Sequence, residues 1–137
     1  MTAEENQQEV VLGDGGVRVR TTTQRIWKYD LPIVSHFTLE LPKGARILDV
    51  QVQRKKTTNN LFAQPDGTVE VPCLWAIVEP ANEKEKRHFF LRGTGQSVLV
   101  AASNKWDAMY HLNYVGTFQL HNGEVVMHLF EVPSVTA

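Results

Sequence analysis

The sequence has one cysteine, no long apolar run and no surplus of charge, and each shortage removes a class of protein. Cys73 alone cannot make an intrachain disulfide, so a disulfide-stapled scaffold is excluded. Within VPCLWAIV it reads as a small core hydrophobe, which fits a reducing compartment. A membrane-spanning helix needs about 20 apolar residues in a row, and no stretch of this chain approaches that. MTAEENQQEV offers neither the basic start nor the apolar stretch of a secretory signal, so a cytoplasmic location is expected. Lys and Arg total 14 against 15 Asp and Glu, a formal charge of -1, so no global field draws in nucleic acid or an anionic membrane. Helix signals are nearly as scarce: only SNKWDAMYHL, with Ser103 as cap, reads as one or two helical turns.

Strand and turn signals fill the rest. The 137 residues are 42% hydrophobic, enough for one core. VVLGDGGVRVR places Asp14-Gly15-Gly16 between valine-rich arms, the pattern of a hairpin. Strands are expected in RIWKYDL, in HFTLEL, in ARILDVQVQR and in TVEVPCLWAIVE, where Pro72 requires a bulge or a position with no ladder bond. HFFLR follows the polar turn PANEKEKR and is expected to pair antiparallel with the strand before it. SVLVAA is a further short candidate, and NYVGTFQL and GEVVMHLFEV form a closing hairpin across His121-Asn122-Gly123. Leu-Pro-Lys-Gly-Ala at 41–45 is a tight turn, and 54–67 reads as a protruding loop or hairpin tip. About nine strands with turn signals every 8 to 12 residues predict an all-β antiparallel sandwich or partly open barrel. The expected organisation is a tail over 1–8, one domain over 9–132 and a loose end over 133–137.

The chemistry-bearing residues are few. FFLRGTGQS suggests a phosphate cradle, but it lacks the Lys-Ser/Thr of a P-loop and no helix follows, so a glycine turn is the simpler reading. Arg92 and Thr94 keep an anion contact open. His36, His88, His111, His121 and His128 show no ligand spacing and have no Cys or acidic cluster beside them, so no metal and no cofactor is expected. No serine sits in a nucleophile elbow and no carboxylate pair stands out, so the chain is not expected to be an enzyme. Arg54-Lys55-Lys56 with Lys28, Arg46, Trp27 and Tyr29 could track a nucleic acid, yet the charge balance favours a solvated loop tip. A small-ligand pocket could instead draw on Gln51, Gln53, Gln119, Arg87, Arg92 and Trp75, since glutamines and arginines read base edges and phosphates beside an aromatic surface.

In order, the pieces IWKYDLP, FTLELPKGARILDVQVQ, PCLWAIVEP, RHFFLRGTGQ, YVGTFQ and VVMHLFE resemble a family of small phage and prophage proteins that carries a domain of unknown function. The resemblance covers residues 26 to 131. This chain departs from the compact form by an N-terminal extension with its own hairpin, a longer 54–70 segment and an insertion over 97–112. The resemblance implies a virus-encoded accessory protein of the bacterial host cytoplasm that acts by binding. By analogy with small phage proteins that sequester the nucleotide signals of bacterial defence, the expected ligand is a small nucleotide-like molecule. Its expected contacts are Arg87, Arg92, Thr94, Gln96, Gln51, Gln53 and Trp75. The alternatives are a module that blocks or recruits a host protein and a binder of single-stranded nucleic acid; nucleic acid and membrane are not the expected partners. An exposed strand edge makes a homo-oligomer the expected state.

Overall fold

The computed structural model describes residues 9–12, 17–20, 22–57, 63–97 and 112–133. The described residues are all-β. The strands are β1 (Glu9–Leu12), β2 (Val17–Arg20), β3 (Arg25–Asp30), β4 (His36–Pro42), β5 (Arg46–Lys56), β6 (Thr68–Val78), β7 (Lys84–Gly93), β8 (Asn113–Leu120) and β9 (Val125–Glu131). They form an antiparallel β1-β2 hairpin, a three-stranded sheet β3-β6-β5 and a four-stranded sheet β4-β7-β9-β8, all pairings antiparallel. The two larger sheets pack as a sandwich, without closing into a barrel. Among the described residues no helix is long and apolar enough to cross a membrane. The expected turn at 103–112 and the SVLVAA strand lie mainly outside the described residues.

Two connections differ from the expectation. β6 and β7 do not pair: β6 is already bonded to β3 and β5 on its two edges, so the Glu79–Glu83 turn carries the chain to the other sheet. The 54–67 segment also begins later than expected, because β5 continues through Lys56 opposite Thr68. Arg54 and Lys55 face Glu70 and Val69 there, and a cross-strand partner makes a strand where composition alone reads as a loop.

The turns follow their residues. Ala45 donates to Pro42 with Gly44 at φ 85, and this turn hands the chain from β4 in one sheet to β5 in the other. His121, Asn122 and Gly123 have φ of 53, 55 and 90, so the β8-β9 hairpin uses the left-handed residues its sequence announces. Pro72 accepts from Leu31, just past the end of β3, so its missing N–H faces that strand end and leaves the β5 ladder intact.

Alternation then fills the interior. Leu74, Ala76 and Val78 of β6 and Val50 of β5 meet Phe37, Leu41, Phe89, Leu91, Phe118 and Leu129 of the facing sheet, all buried. The sheets approach closely where Gly116 of β8 meets Val50: a Cβ on Gly116 would lie 2.6 Å from the valine Cγ1. Glycine is therefore required there by space, beside a register shift between Tyr114 and Gly116.

Candidate functional site

The expected contact residues separate into three places. Arg87 lies between the sheets at one end of the sandwich, Gln51, Gln53 and Trp75 lie on the outer face of the three-stranded sheet, and Arg92, Thr94 and Gln96 lie at the end of β7.

Arg87 is a fold residue by its partners. Its Nε donates to Glu131 at 2.5 Å, its Nη2 to the second Glu131 oxygen at 2.8 Å and its Nη1 to the Ala45 carbonyl at 2.5 Å. With the two side chains 18% and 14% exposed, this is a half-buried bidentate pair, and the carboxylate pushes the guanidinium further up its already high range. It floors a cleft of about 620 Å³ walled by Gly44, Glu85, His88, Asn113 and Pro133. Its donors are committed to β9 and to the β4-β5 turn, so Arg87 itself is not free to meet an anion in the cleft.

The outer face of the three-stranded sheet is also self-paired. Lys28 donates to Gln53 at 2.9 Å, Gln51 donates to Asp49 at 2.8 Å and Lys55 donates to Asp30 at 2.5 Å. Trp75 sits between Lys28 and Asp49 on the neighbouring strands. The Lys55 ammonium holds the Asp30 carboxyl below its usual range, while burial first, and then Asp30, push the Cys73 thiol up. Here the amides and charges answer one another.

At the end of β7 the sequence Gly-Thr-Gly-Gln closes a turn. Gln96 N–H donates to Gly93 O at 3.0 Å, Gly93 N–H donates to Gln96 Oε1 at 2.7 Å, Thr94 N–H donates to Val126 O at 3.3 Å, and Gly95 takes φ 91. The N–H groups of Gly93, Thr94 and Gln96, which a phosphate cradle would need, are spent within the turn and on β9. Arg92 donates to the carbonyls of Ser97 (3.0 Å), Ser35 (3.2 Å) and Leu91 (2.8 Å), with no carboxylate partner among the described residues. Its guanidinium lies 5.2 Å from the centroid of Phe90.

Arg92 opens onto a face that the sequence did not reveal. One row crosses the outer side of the four-stranded sheet from edge to edge: His36 opposite Phe90, Phe90 opposite Phe130, and Phe130 opposite Tyr114. His36 stacks on Phe90 at 4.7 Å and lies 6.2 Å from His88, while Tyr114 meets Phe130 edge-on at 5.8 Å. Phe90 is buried as the floor; His36, His88 and Tyr114, the last 61% exposed, stand above it. The adjacent row sets His128 between Arg92 and Thr117. Thr94 Oγ1 shares a hydrogen bond with His128 Nε2 (2.8 Å), His128 Nδ1 with Thr117 Oγ1 (2.9 Å), and Thr117 with the Tyr114 hydroxyl (2.6 Å). Rings for stacking, an arginine whose charge no carboxylate neutralises and a line of hydroxyls thus share one surface. That combination suits a planar ligand bearing an anionic group. Among the described residues no cluster of His, Cys, Asp and Glu could hold a metal ion.

Residues 22–137 match the family model described as Domain of unknown function (DUF7352), and the chain belongs to that family. The matched stretch begins after β2, so the first hairpin precedes it. No curated protein and no solved structure matches the chain.

Proposed function

We propose that this member of a family of unknown function is a noncatalytic binding domain that holds a small nucleotide-like molecule on the outer face of β4-β7-β9-β8. The observation that carries the reading is the pairing of an edge-to-edge aromatic row with Arg92, a cation that among the described residues meets carbonyls and the Phe90 ring and no carboxylate. The base stacks on the Tyr114 ring beside Phe130, and the anionic group lies toward Arg92 and Thr94. Gln96 supports that end by holding the turn closed. The resemblance to small phage and prophage proteins supports a narrower role within this reading: an accessory of the bacterial host cytoplasm that sequesters a nucleotide signal of host defence. The exposed Ile26 and Trp27 of edge strand β3 support a homo-oligomer, whose mass native mass spectrometry reads directly.

Calorimetric titration with adenosine monophosphate, cyclic AMP and ADP-ribose tests the reading. Saturable binding is expected for at least one, weakened about five- to 150-fold by Tyr114→Ala, the range a lost base–aromatic stack covers. No binding by any of the three overturns it. Tighter binding of a ten-residue oligonucleotide, with a steep salt dependence, reassigns the face to a single strand.

A further inference from the structure

We infer that Thr94, His128, Thr117 and Tyr114 form a hydroxyl–imidazole relay that recognises the ligand's phosphoryl oxygens and takes up a proton as it does so. This rests on the outer face of the four-stranded sheet being the binding surface. The relay is continuous, with contacts of 2.8, 2.9 and 2.6 Å from Thr94 through His128 and Thr117 to Tyr114. It joins the end of β7 to β8 across β9, and Thr94, Thr117 and Tyr114 are exposed.

Proton counting gives the relay its chemistry. Each hydroxyl has one proton to donate, and a neutral imidazole has one donor and one acceptor nitrogen. If Nε2 donates to Thr94, then Nδ1 accepts from Thr117 and Thr117 accepts from Tyr114. Only the Thr94 proton is then left to point outward. In the other tautomer Thr94 donates to Nε2, Nδ1 donates to Thr117 and Thr117 donates to Tyr114, so only the Tyr114 proton is left. A neutral relay therefore offers one outward donor, at one end or the other. An imidazolium donates from both nitrogens, so Thr94 and Tyr114 both turn protons outward and the relay gains a positive charge. Oxygens of a phosphoryl group accept hydrogen bonds and do not donate them when ionised, so they match the protonated form.

Of the groups around His128, Arg92 is charged, and its guanidinium works against a neighbouring imidazolium until an anion is bound. β7 presents Arg92 opposite it and His88 further along, β8 presents Thr117 and Tyr114, its own strand presents Val126 and Phe130, and β4 contributes His36. No carboxylate stands among these paired neighbours to hold the imidazolium in place of the ligand. Because binding and protonation are linked, each strengthens the other by the same factor.

The test uses the whole chain with two probes, cyclic AMP, whose phosphodiester keeps its charge between pH 8 and 5.5, and adenosine, which lacks the phosphate. Cyclic AMP is expected to bind about tenfold more tightly at pH 5.5 than at pH 8, within the usual range of linked coupling. Adenosine is expected to show no such gain. His128→Gln is expected to flatten the cyclic AMP profile, and titration in two buffers of different ionisation enthalpy to show proton uptake that this variant loses. Adenosine binding without any preference for cyclic AMP overturns the relay and keeps the binding face. A profile that survives His128→Gln, and is removed by His36→Asn or His88→Asn, also overturns the relay. Binding of neither probe overturns the relay, and overturns the binding face as well when adenosine monophosphate and ADP-ribose also fail to bind.

Discussion

The two sides of the four-stranded sheet use the same residue types for opposite ends. On the inner side Arg87 is gripped at both carboxylate oxygens by Glu131 and by the Ala45 carbonyl, among side chains of the core. On the outer side Arg92, from the same strand, meets only carbonyls and the Phe90 ring among the described residues. Pairing quality separates the two. An arginine matched to a carboxylate inside the fold holds elements together, whereas one left without a counter-charge at a surface is able to meet an anion at little desolvation cost.

The largest break in this comparison comes from the inner side. Arg87→Met leaves Glu131 and Ala45 O without their partner, and a loss of about 2–4 kcal/mol is expected in chemical denaturation, since removing one member of a buried pair strands the other. The Arg87→Met/Glu131→Leu double variant is expected to recover most of it. A single variant as stable as the parent contradicts the structural role.

The matching change on the outer side should reverse the pattern. Arg92→Met is expected to change stability by less than about 0.5 kcal/mol. Its effect falls on cyclic AMP affinity, weakened by about 1.5–3 kcal/mol, the worth of a hydrogen bond to a charged group. Equal stability losses in the Arg87 and Arg92 variants dissolve the distinction between the two sides.

Gly116 sharpens the inner side. Its substitution by Ala puts a methyl 2.6 Å from Val50 Cγ1, and about 1–3 kcal/mol of overpacking is expected, relieved in part by Val50→Ala. The thermal midpoints of the single and double variants, read by circular dichroism, check it.

The smallest effect belongs to the other sheet. Asp30 titrates lower in the folded chain than in the unfolded one, because Lys55 bonds the carboxylate. Its contribution is thus present at neutral pH and lost as pH falls from about 4 through the folded value. With Asp30 and Lys55 side chains 53% and 37% exposed, Asp30→Asn is expected to cost only a few tenths of a kcal/mol, a difference that vanishes in acid denaturation curves taken well below pH 4.

Much of the fold was legible in the sequence. The DGG and HNG hairpins, the Leu-Pro-Lys-Gly-Ala turn and the alternation of HFTLEL each carry a local mechanism, and the strands fall where those signals place them. Pairing between sheets was not legible. Nothing in PANEKEKR says whether the next strand turns back beside β6 or crosses to the other sheet, since that depends on whether both edges of β6 are already taken. The candidate site was hidden for the same reason. His36, Phe90, Phe130 and Tyr114 are far apart in sequence and become a row only through register. Arg92 and Thr94 were visible because glycine punctuation marks their loop. Gln51, Gln53 and Trp75 do share a face as their alternation implies, but their polar groups face neighbours of their own sheet.

The central claim is that the outer face of β4-β7-β9-β8 is the binding surface. The most direct test is a chemical-shift titration of isotope-labelled protein with cyclic AMP. Saturable shifts are expected at His36, His88, Arg92, Thr94, Tyr114, Thr117 and His128, with Gln51, Gln53 and Trp75 unmoved. Shifts centred on those last three residues, or lining the cleft around Arg87, contradict it.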